Sequence, residues 1–106
     1  MPDSIQIYFS DTKSEAVFSA DGVKPQFLLE APNFKALVVG LEAGGQIPVH
    51  TGEAAMYHFL EGEGLITVGE ETFDIKPGVT VIAPGGAMRG MNAKTRVIFL
   101  GAKGGE

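Results

Sequence analysis

Apolar and polar residues in this chain fall into short segments whose dominant period is two, the period of extended structure. Ile5, Ile7 and Phe9 alternate with polar or amphipathic neighbours, the pattern of a first strand with one buried face. In the following TKSEAVF, Thr12 and Glu15 stand at capping-box spacing and predict one short helical turn. Asp21-Gly22 marks a turn, and QFLLEA, Gln26 to Ala31, reads as a strand ended by Pro32-Asn33. FKALVVGLEA, Phe34 to Ala43, is rich in β-branched and long apolar residues and short for a helix, so it predicts a strand buried on both faces. Gly44-Gly45 closes it. AMYHFLEG and LITVG read as strands joined through Gly62 and Gly64, and Gly69-Glu70 turns the chain into TFDI. After the Lys76-Pro77-Gly78 turn come VTVIA, the Pro84-Gly85-Gly86 turn and TRVIFL, with GAKGGE left as a frayed tail.

Seven to nine short strands without a substantial helix predict a closed or two-sheet structure, because an open sheet would leave edges and an uncovered apolar face. The fold class expected is all-β, a small barrel or jelly roll. No segment repeats at a fixed period, which disfavours propellers and solenoids.

Composition narrows this picture. The 106 residues suit one domain spanning 1–106, and a chain of that size can bury enough surface to fold without staples. With no cysteine there is no disulfide framework, thiolate ligand or thiol nucleophile. Eight Lys and Arg against 13 Asp and Glu give a net charge of −5, the wrong sign for attraction to nucleic acid or an anionic membrane. MPDSIQIYF has no basic n-region or long apolar stretch, and the expectation is a soluble, cytoplasmic protein. Fifteen glycines and six prolines punctuate the chain without low-complexity periodicity, as in a β-rich fold.

The spacing of glycines and prolines between positions 44 and 92 resembles the cupin family. The first cupin motif runs Gly, five residues, His, one residue, His, three or four residues, Glu, six residues, Gly. The second runs Gly, five residues, Pro, one residue, Gly, two residues, His, three residues, Asn. Here His50 stands six positions after Gly44, and Gly62 closes the first motif one residue early. Gly78, Pro84 and Gly86 match the opening of the second motif at both intervals, and Asn92 ends it one residue early. The resemblance implies a cupin β-barrel of the jelly-roll kind, commonly dimeric, with a divalent metal held by the motif histidines and glutamate. This sequence departs from that ligand set. The second His position is Gly52, the Glu position falls on Ala55, Met56 or Tyr57 depending on the direction of counting, and the last His position is Arg89.

A catalytic zinc or iron site needs about three imidazole or carboxylate ligands, and His50 alone does not supply them. A guanidinium has no lone pair to offer and repels a cation beside it. No metal or other cofactor is therefore expected. The remaining metal arrangement would be His50 with Glu53 or His58, serving a metal-dependent oxygenase or isomerase. Met56, Met88 and Met91 with one histidine would suit Cu(I), although methionine more often fills apolar gaps. If Gly62 anchors its strand, alternation turns Tyr57 and Phe59 inward and His58 outward; a bulge after Met56 would reverse this.

His50, Tyr57 and Arg89, with Phe59 and Met88 as apolar wall, make the more coherent set for a small-molecule site. Arg89 would offer its planar fork to an anion, and His50 a hydrogen bond or acid-base group. The expected function is binding of a small, anionic molecule in the barrel. Apolar residues on both faces of AMYHFL and FKALVV fit a homodimer with one outer sheet face covered.

Overall fold

The computed structural model describes residues 7–104. One short helix, α1 (Thr12–Glu15), precedes nine strands: β1 (Gln26–Ala31), β2 (Phe34–Leu41), β3 (Gln46–His50), β4 (Ala54–Glu61), β5 (Gly64–Val68), β6 (Glu71–Ile75), β7 (Thr80–Ala83), β8 (Arg89–Ala93) and β9 (Val97–Gly104). They form a five-stranded sheet in the order β1-β2-β9-β4-β7 and a four-stranded sheet in the order β3-β8-β5-β6. Every pairing is antiparallel, and the two sheets enclose one apolar layer, a jelly roll. No helix among the described residues is long and apolar enough to cross a membrane.

The core is the inward half of each alternation. Leu37, Val39 and Leu41 of β2, Phe59 of β4, Val81 of β7, and Val97 and Phe99 of β9 face Ile66, Ile75, Met91 and Ala93 of the four-stranded sheet. Phe59 and Phe99 meet at 5.7 Å between ring centroids, and Tyr57 stands edge-on to Phe99 at 5.6 Å. The interior is packed with side chains rather than hollow.

β2 is buried on both faces because the chain before β1 crosses the outside of the five-stranded sheet. A Cβ on Gly40 would lie 2.9 Å from the Val17 carbonyl and 3.1 Å from the Phe18 ring, so Phe18 seats where β2 has no side chain. Arg96 lies 4.2 Å over the Phe18 ring and grips Glu42 at both carboxylate oxygens, at 3.0 and 3.1 Å. Those hydrogen bonds, ahead of charge attraction and against a smaller opposing effect of burial, hold the Glu42 carboxyl below its ordinary pKa.

Three expectations are corrected. The alternation at positions 5–9 does not make a strand where it is described: Ile7 and Phe9 lie in irregular chain, 89% and 94% exposed, with no sheet edge paired to them, while Ile5 lies outside the described residues. The helical turn forms, but Asp11 is its N-cap and makes no side-chain cap bond, so Thr12 sits inside the turn rather than capping it. Gly101–Gly104 is no frayed tail. It is the second half of β9, paired on one side with β2 and on the other with β4.

Candidate functional site

The strands that carry the two motifs converge at one end of the sandwich. Gly44, Gly62, Gly78 and Gly86 have φ of +81°, +95°, +93° and +86°, and no other residue type adopts positive φ among the described residues. At Gly62 a side chain would also collide with the Arg96 carbonyl. Gly86 sits in the turn between β7 and β8 at the mouth, and Gly44, Gly62 and Gly78 fix turns at the opposite ends of β3, β4 and β7.

Arg89 opens β8, opposite His50 of β3 on one side and Val68 of β5 on the other. A one-residue bulge between Ile47 and His50, at a proline that has no N–H to pair, returns His50 to the sheet face that Arg89 and Met91 share. The Arg89 side chain is 3% exposed. Its Nε donates to the Ala87 carbonyl at 2.9 Å. Its Nη1 donates to the Glu53 carbonyl at 2.9 Å and the Tyr57 hydroxyl at 3.3 Å, and its Nη2 to the Gly52 and Pro84 carbonyls at 3.3 and 3.1 Å. A guanidinium has five N–H groups, and each has a partner within the protein. The fork read from the sequence as open to a ligand instead ties the 51–53 segment, the 84–88 turn and β4 together. The Gly86 N–H, 2.9 Å from the Gly52 carbonyl, joins the first two again.

Gly52 is part of this arrangement. A Cβ there would stand 3.4 Å from Nη1 of Arg89, in contact with the guanidinium, so a longer side chain would have to turn away or displace it. The charge has no carboxylate beside it: the ion pairs among the described residues are Lys13 with Glu61 and Arg96 with Glu42. Arg89 is a buried cation surrounded by carbonyl dipoles.

The other candidates separate. His50 is exposed, with Nδ1 3.0 Å from the Pro48 carbonyl. A carbonyl only accepts, so Nδ1 carries the proton and Nε2 of the neutral ring keeps its lone pair. Tyr57 faces inward onto the core, bound to Arg89. Phe59 is core rather than wall, and Met88 lies exposed on the loop before β8. His58 is on the outer face of β4, its Nδ1 2.7 Å from Thr80 Oγ1. Glu53 is exposed and gives its main-chain carbonyl, not its carboxylate, to Arg89. The methionines do not converge, since Met91 is core in one sheet and Met56 lies on the outer face of the other.

No group of three His, Cys, Asp or Glu side chains comes together among the described residues, and the motif positions hold His50, Gly52, Ala55 and Arg89. That donor set does not fit a divalent metal. A cavity of about 560 Å³ lies on the four-stranded sheet around Leu65, Asp74 and Asn92, away from Arg89. Two residues that sequence reasoning missed share the mouth: Lys35 of β2 and Lys103 of β9 are direct cross-strand partners, and Lys103 is also opposite Ala55. Extending the alternation of Val97 and Phe99 past Leu100 would have found Lys103.

The family model described as a cupin domain matches residues 37–100. Among curated proteins nothing matches the chain. Among solved structures, the chain is similar to TT1209 from Thermus thermophilus, with 24% identity over 92% of this chain and 97% of that one and a TM-score of 0.86. A conserved protein of unknown function from Streptococcus pyogenes, SPY1581, is 22% identical over 99% of this chain and 93% of that one, with a TM-score of 0.83. KdgF from Halomonas sp. is 19% identical over 96% and 97%, with a TM-score of 0.75. At these identities the likeness concerns the fold alone. The family match spans well over half of the chain and contains both glycine motifs; the chain belongs to the cupin family.

Proposed function

We propose that this cupin binds a small anionic molecule at the mouth of its barrel, without a metal. The observation that supports this reading is the Arg89 guanidinium, buried and without a carboxylate partner among the described residues, at the motif position where a metal-binding cupin has a histidine. A cation in a site of low dielectric with its charge uncompensated attracts an anion more strongly than the same group in water. With its donors engaged, Arg89 contributes charge and rigidity rather than a direct fork. The filled interior confines the ligand to the mouth, beside His50 and the Tyr57 hydroxyl, so the molecule is small.

A thermal-shift screen of carboxylates and phosphates against neutral compounds of similar shape tests this. Anions are expected to stabilise the wild type selectively. Arg89→Lys, which keeps the charge, should retain that preference, and Arg89→Gln should lose it. Equal response to neutral and anionic compounds would refute the reading, as would stoichiometric metal in protein purified without an affinity tag.

We further propose that the protein is a homodimer through the outer face of its five-stranded sheet. Leu29, Ala36, Ala102, Met56 and Ile82 form one cross-strand row there, and Ala31, Phe34, Gly104 and Ala54 the next, with no charged or polar side chain in either. A patch without charge is complementary to itself under a two-fold axis, which favours a second copy as its occupant.

A further inference from the structure

The inner face of the five-stranded sheet ends at the mouth in a row drawn from every strand: Glu30, Lys35, Lys103, Ala55 and Ala83. Their parity is set by Leu37, Phe99, Tyr57 and Val81, which lie in the core or against it. Lys35 and Lys103 are half-buried, and neither forms an ion pair among the described residues. Two like charges directly opposite on adjacent strands cost stability when nothing lies between them. Glu30 faces Lys35 from its other side, whereas the ladder neighbours of Lys103 are Lys35 and Ala55.

Arg89 adds a third positive charge, linked to this row through β4. Tyr57 follows Ala55 on the same face of β4 and accepts a hydrogen bond from the guanidinium, so the lysine row and the buried cation adjoin. Ala55 and Ala83 are already covered by the protein, so the accessible part of the row is at the half-buried Lys35 and Lys103. Positive charge and flexible donors thus meet at one place in a chain whose net charge is −5.

We propose that Lys103 and Lys35 are the anchoring pair for a compact dianion, a phosphate group or a small dicarboxylate, held between their two ammonium groups at the mouth. The proposal rests on the reading of the mouth as an anion site and names its direct contacts. Each ammonium brings three donors on a flexible stem, which Arg89, fully engaged, cannot offer. The dianion relieves the repulsion between the lysines, and charge-assisted hydrogen bonds replace water on both.

Calorimetric titration at low ionic strength with inorganic phosphate and, separately, succinate tests this, because exposed charges are screened by salt. Lys103→Met and Lys35→Met keep the aliphatic stem and remove the charge, and their thermal unfolding verifies the fold. Binding of one or both probes to the wild type is expected, weakened about tenfold or more in Lys103→Met and likewise in Lys35→Met, where the unopposed Glu30 adds repulsion. Lys13→Met, which removes one positive charge from the Glu61 pair elsewhere, should leave binding unchanged. Phosphate alone identifies a phosphoryl ligand and succinate alone a dicarboxylate, and either outcome supports the pair as anchor. Binding that Lys103→Met retains within about twofold overturns this inference and leaves the anion reading intact. No binding of either probe to the wild type overturns both.

Discussion

Four main-chain carbonyls and one phenol around a guanidinium do for the mouth segments of this protein what a metal does elsewhere: one cation holds several pieces of chain in a fixed relation. Arg89→Ala removes a charged group with five hydrogen bonds and leaves the carbonyls of Gly52, Glu53, Pro84 and Ala87 to find water at the rim. Hydrogen bonds to charged groups contribute about 1.5–3 kcal/mol each and are not additive here, since rim carbonyls rehydrate; a net loss of about 3 kcal/mol is expected. For a chain of this length that lowers the midpoint of thermal unfolding by roughly 10–25 °C. Arg89→Lys keeps the charge and three donors and should lose about half as much. Unfolding of Arg89→Ala at the wild-type temperature would mean the carbonyl cage adds nothing to stability. Arg89 was legible as a mouth residue from its interval after Gly86, but its partners were not, because carbonyls at turns leave no side-chain signature in a sequence. Lys103 escaped for a different reason. Glycines on both sides of it gave the stretch the composition of a tail, while its alternation with Phe99 and Gly101 continued a strand.

At the scale of elements, the runs that bury apolar side chains were readable and the strands that carry the site were not. β2, β4 and β9 present long apolar stretches, and their cores stand where alternation put them. β3 contains Pro48 and a bulge, and β8 contains Gly90 and Asn92, so neither shows a clean period of two. Gly90 fits a tight place: a Cβ would lie 2.9 Å from Val49 Cγ2 and 3.0 Å from the Ile47 carbonyl, beside the bulge of its neighbour β3. The N-terminal segment is held by a clamp whose members are far apart in sequence. Glu42 begins the turn out of β2, Arg96 leads into β9, and Phe18 lies beneath the guanidinium. Because the Glu42 carboxyl titrates lower when folded than when unfolded, its contribution is present above the unfolded pKa and is lost as pH falls through the folded one. Glu42→Gln should therefore unfold at a lower temperature than wild type at neutral pH, and the difference should vanish in acid below the ordinary glutamate range. Both groups are exposed, so raising the salt concentration should shrink the gap at neutral pH as well. A gap that stays constant from neutral to acid pH would exclude the ion pair as its source.

At the scale of the whole molecule, two surfaces of opposite character lie on the two faces of one sheet. Where the five-stranded sheet ends inside the mouth it carries lysines, and on the outside it carries the uncharged rows through Met56 and Phe34. Part of that outer face is already covered by Phe18, but the rest is not: Phe34 is 45% and Ile82 60% exposed. Ile7 and Phe9 are also exposed. In the proposed dimer a second copy would cover this apolar surface with one contact repeated by symmetry. Sedimentation analysis of the wild type at micromolar concentration should accordingly give the mass of two chains. Ile82→Glu and Phe34→Glu place carboxylates on exposed positions that leave the core untouched, so each should fold and sediment as a monomer. The unfolding midpoint of the wild type should rise with protein concentration, and that of the variants should not, because association stabilises only the species that associates. A wild type that remains monomeric as concentration is raised would remove the second copy as occupant of the face, while the cation at the mouth, on the opposite side of the sheet, would keep its proposed role.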